Sequence, residues 1–97
     1  MKTMTVKLTR PVTVDVIEFE LPHFSKKGNA YYCVINPMEA IHVGYYPTID
    51  APFINVMRSP ENIEEAFNWE AENLSREEFI EVYNKAISSL TAKFLSI

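Results

Sequence analysis

The chain predicts an α+β fold, an antiparallel, meander-like sheet of about four strands covered on one face by a C-terminal amphipathic helix, with a shorter helix before it. Three observations carry this. The first half alternates apolar and polar residues with a period of two. The second half opens a helix with a Ser-Arg-Glu-Glu capping sequence, and from there its apolar residues recur every three or four positions. With 97 residues, 47% of them apolar and 12% aromatic, the material suffices for one core and one domain spanning 1–97.

Met4, Val6 and Leu8, then Val12, Val14 and Val16, occupy even positions, while Ile17, Phe19 and Leu21 shift the pattern to odd ones. A bulge near Val16-Ile17 would restore a single buried face, and Arg10-Pro11 marks a turn or an irregularity at a strand edge. The polar stretch Ser25-Lys26-Lys27-Gly28-Asn29 reads as a hairpin connection, and His23 just before it as a loop residue. Strands follow at Ala30 to Ile35 and Ala40 to Tyr46, joined by the four-residue loop Asn36-Pro37-Met38-Glu39. Pro47 ends the second strand, and Asp50-Ala51-Pro52 turns the chain into a run from Phe53 to Met57. Ser59-Pro60 starts a short helix over residues 60 to 68. Ser75-Arg76-Glu77-Glu78 starts a longer one, roughly Arg76 to Phe94, whose stripe Phe79, Tyr83, Ala86, Ile87, Leu90 and Phe94 should lie across the sheet. One long helix cannot cover both faces, so the second face should be polar, twisted away or occupied by another subunit.

Charge and motifs narrow the function. The formal net charge is -4, and the acidity is concentrated from Ser59 onward, where Arg76, Lys85 and Lys93 face Glu61, Glu64, Glu65, Glu70, Glu72, Glu77, Glu78 and Glu81. The one basic doublet, Lys26-Lys27, is too little to displace counterions from a phosphate backbone, so no nucleic-acid partner is expected. An acidic surface meeting a basic partner is an alternative. No segment has the length or continuity of a signal peptide or a membrane span, which points to a cytoplasmic protein with no membrane partner. Glu39-Ala40-Ile41-His42 has the spacing of a helical metal motif, but it occurs once and falls on a predicted loop and strand, so no metal is expected. Without a Gly-rich phosphate loop, no cofactor is expected either.

The four-residue loop sets a register that places Cys33 opposite His42, close enough for an imidazole to activate a thiol. A small enzyme using this pair is therefore one alternative. Tyr31-Tyr32 and Tyr45-Tyr46 are doublets in which one ring must point away from the other, and Trp69 falls off the stripe of its helix. Tyr32, Tyr46 and Trp69 are accordingly the candidate contacts of an interaction surface. The leading reading is a non-enzymatic protein-interaction module that self-associates as a homo-oligomer.

The layout, with Tyr31-Tyr32-Cys33-Val34-Ile35 in a strand-rich front and Ser75-Arg76-Glu77-Glu78-Phe79 opening a terminal helix, resembles small proteins of gut bacteria and of their phages and mobile elements. That resemblance implies a cytoplasmic accessory role and transfers no activity to any numbered position.

Overall fold

The computed structural model describes residues 2–9, 14–45 and 52–96. Strands β1 (Lys2–Thr9) and β2 (Val14–Leu21) form a two-stranded antiparallel ribbon. After Pro22 the chain enters a five-stranded antiparallel sheet made of β3 (His23–Lys27), β4 (Ala30–Asn36), β5 (Glu39–Gly44), β6 (Phe53–Met57) and β7 (Glu72–Asn73), in the order β6-β5-β4-β3-β7. Helix α1 (Pro60–Ile63) continues as a 3-10 turn over Glu64–Phe67, and α2 spans Arg76–Leu95. The α+β class and both helices match expectation. Two strands of this sheet were not anticipated: β3, which falls where a loop and a hairpin connection were expected, and β7, which is two residues long and pairs with Ser25 and Lys26 across the edge of β3.

Three local expectations change. The ribbon runs without a register shift from Lys2↔Leu21 to Thr9↔Val14, so there is no bulge at Val16-Ile17. Val6, Ile17, Phe19 and Leu21 turn toward the core instead, and Val16 on the opposite side is 68% exposed, as a two-stranded ribbon with one covered face permits. Residues 25–27 are strand, leaving a tight Gly28-Asn29 turn in which Gly28 has φ +61°, a left-handed value that costs a residue with a Cβ about 1–2 kcal/mol. His23 is accordingly a strand residue. The turns expected at Arg10-Pro11, Pro47 and Asp50-Ala51 lie outside the described residues.

Both faces of the sheet carry a core. On one, Cys33 and Val43 pack with Phe79 and Ala86 of α2, flanked by Phe24, Tyr31, Ile41 and Ile54. On the other, Tyr32, Val34, Ala40 and Met57 pack with Ile63, Ala66 and Phe67 and with Val6 and Leu21 of the ribbon. The expectation that the second face would be polar or left for another subunit is thus corrected: the ribbon and the short helical segment cover it. Ser25 Oγ, fully buried, donates to the Ala66 carbonyl at 2.6 Å, and Lys27 pairs with Glu65 at 3.5 Å, tying that segment to β3.

Helix α2 starts as its sequence dictates. The Glu78 amide donates to Ser75 Oγ at 3.0 Å and the Ser75 amide to Glu78 Oε1 at 3.2 Å, a reciprocal capping box. Its packing is less extensive than its apolar stripe suggests. Phe79 and Ala86 are buried, whereas Ile80, Ile87, Leu90, Phe94 and Leu95 are exposed.

Candidate functional site

Cys33 and His42 do not meet. Asn36 pairs with Glu39, Ile35 is bulged out of the ladder, and beyond it Val34 pairs with Ala40, Cys33 with Ile41 and Tyr32 with His42. The Asn36 side chain accepts the Met38 amide at 2.8 Å, tightening the turn to Pro37-Met38, and the extra residue Ile35 then shifts the register by one. A shift of one residue moves a side chain to the opposite face of the sheet, so the thiol lies on the α2 side and the imidazole on the ribbon side. The sheet stands between them, and the paired arrangement that would activate Cys33 is absent. Burial pushes the Cys33 thiol up, only partly countered by the positive charge of Arg76, which is the opposite of what a nucleophile requires.

His42 instead stacks on Tyr32, with ring centroids 4.8 Å apart and planes at 13°, and meets the edge of Phe53 at 5.0 Å. Its Nε2 is buried without a hydrogen-bond partner among the described residues, and burial holds its pKa below the ordinary 6.5. His23, stacked on Phe67 at 4.5 Å, is likewise lowered by burial, against the upward pull of a hydrogen bond to the Ala66 carbonyl. Both rings are therefore held neutral in the folded chain, and on acidification the unfolded chain takes up protons first. The stability these two histidines contribute is complete above about pH 6.5 and is lost as pH falls through their lowered folded values. Urea denaturation on either side of that pH should show this decline, and His42→Phe, which retains a ring on Tyr32, should flatten it. Parallel pH profiles for the two proteins would remove His42 as a cause.

The remaining candidates separate. Tyr32 is 7% exposed and faces His42 and the core, and burial, with Glu65 nearby, raises its phenol. Trp69 is 48% exposed beside a small cavity that Ile17, Phe19 and Phe67 also line. Tyr46 lies outside the described residues. The glutamates do not form one free surface: Glu78 serves the capping box, Glu61 accepts from Ser59 at 2.7 Å, Glu65 pairs with Lys27, and Glu81 with Lys85 at 3.2 Å. Among the described residues no group of His, Cys, Asp and Glu could hold a metal ion, and no helix is long and apolar enough to cross a membrane.

Two features stand out. One is the outward stripe of α2. Ile80, Ile87 and Phe94 are seven residues apart, with Leu90 beside them, so they align along one side of the helix. The other is a cavity of about 490 Å³ under the first turns of α2. Its walls are Leu21 and Pro22 at the end of the ribbon, Phe24, Cys33 and Ile35 from the sheet, and Phe79 and Ile80 from the helix, with the exposed Lys2 and Arg76 lining it as well. The seven-residue spacing of Ile80, Ile87 and Phe94 could have been read from sequence. The cavity depends on elements distant in the chain. No protein-family model, curated protein or solved structure matches the chain.

Proposed function

We propose that the protein is a non-enzymatic interaction module that self-associates through the outer side of α2. The observation behind this is the exposed stripe Ile80, Ile87, Leu90 and Phe94, with Phe94 73% exposed. Several large apolar groups aligned on one helix are an unfavourable surface for a lone chain and a suitable one for a second helix. Charge favours a second copy in antiparallel orientation. Glu77, Glu78 and Glu81 occupy the N-terminal part of α2, while beyond Glu81 its charged residues are Lys85 and Lys93. An antiparallel pair centred on Ile87 sets Ile80 against Phe94 of the partner subunit and Glu81 against Lys93 of the partner subunit, whereas a parallel pair would align like charges.

Sedimentation equilibrium tests this. The native chain should exceed its 11.2 kDa monomer mass at rising concentration, and Ile87→Glu should return it to that mass with helix content retained. Glu81→Lys and Lys93→Glu should each weaken association, and the two together should restore it. A native chain that stays at monomer mass at every concentration rejects the reading, and a double variant no better than either single one rejects the antiparallel orientation.

A further inference from the structure

We propose that the cavity under the first turns of α2 is a binding site for an amphipathic carboxylate, a small molecule with an alkyl or aryl body and one anionic head. This goes beyond self-association and does not depend on it. At about 490 Å³ the cavity is within the range of small-molecule sites, roughly 300–1,000 Å³, and its walls are apolar except for Lys2 and Arg76. None of the residues lining the cavity is acidic. Among the described residues neither cation has a carboxylate within ion-pair distance.

The position of Arg76 is itself informative. It is the first residue of α2, where a positive charge opposes the helix dipole and an acidic residue is preferred, as in Glu77 and Glu78 directly after it. A cation kept at a locally unfavourable place beside an apolar hollow is explained by a ligand anion it would meet there. Its guanidinium can grip a carboxylate with two parallel hydrogen bonds, and Lys2 adds a second, mobile charge. The Cys33 thiol on the wall is buried and stays protonated because burial raises its pKa, so it presents no charge to an apolar body. A polyphosphate or a nucleotide would find too few polar partners among the walls.

Decanoate and decanol, with the same apolar body and different heads, serve as probes. Titration calorimetry of the full chain should show one decanoate bound per chain and at least tenfold weaker binding of decanol. Arg76→Gln should weaken decanoate by about ten- to a hundred-fold and leave decanol unchanged. Cys33 is the chain's one cysteine, so its alkylation by N-ethylmaleimide reports occupancy directly and should slow when decanoate is bound. Ile35→Trp, at a partly exposed position on the bulge, should fill the cavity and abolish both effects without disturbing the core. Equal affinity for the two probes, decanoate binding indifferent to Arg76→Gln, or alkylation indifferent to decanoate would each overturn the proposal. The probe comparison needs no variant. Repeating it in Ile87→Glu separates the outcome from the state of association.

Discussion

Phe79→Ala is expected to lower the free energy of unfolding by about 3–5 kcal/mol, read from urea denaturation. Phe79 is buried against Phe24, with ring centroids 5.6 Å apart, and lies along Tyr83 on its own helix. Only one other α2 residue, Ala86, is buried, and it brings a single methyl group to the contact. The hold of a twenty-residue helix on the sheet therefore rests mainly on one ring, with Val82 and Tyr83 packed around it. For a domain whose total stability is about 5–15 kcal/mol, that loss is a large fraction. Phe94→Ala removes the same chemical group from an exposed position in the last turns. It should change stability by less than about 0.5 kcal/mol at concentrations where the chain is monomeric. If the two substitutions cost the same, α2 docks through its whole length and the exposed stripe is not a free surface.

The contrast between Phe79 and Phe94 also marks where periodicity stops being informative. Spacing by three and four correctly placed Phe79, Tyr83 and Ala86 on one side of a helix, and the capping box gave its start to the residue. Nothing local says how far a helix stays in contact with a sheet, because that depends on the sheet's extent, which distant strands set. The doublet Tyr31-Tyr32 is a similar case. The rings do point to opposite faces, but Tyr32 is buried because the second face is covered, by residues from the ribbon and from Ile63 to Phe67. The turn between β4 and β5 was within reach of the sequence, since Asn36 directly before Pro37 is a side chain suited to accepting the Met38 amide and so to shortening the loop. That shortening keeps the register in which Cys33 faces His42, and it is the extra residue Ile35, which no local signal marks, that parts them. Strand β7 had no such signal, since two polar residues pair with an edge some 47 positions earlier in the chain.

Ile63→Ala is the second substitution expected to cost heavily, about 2–5 kcal/mol. Ile63 is completely buried among Val34, Ala40, Met57, Ala66 and Phe67. The segment that carries it is one α-helical turn followed by one 3-10 turn, too short to persist without tertiary contacts. Removing the side chain leaves a cavity and also loosens the cover over the second sheet face, where the Ser25 bond to Ala66 alone would be worth only about 0.5–1.5 kcal/mol. The midpoint of thermal unfolding should fall by at least about 8 °C, and amide exchange should rise first at residues 64–67. The same experiment bears on where a partner binds. A face already closed by Ile63 has no need of another subunit, so the loss of stability should appear with no change in mass. A variant that kept its stability by associating more strongly would place the contact on the ribbon side of the sheet and take it away from α2.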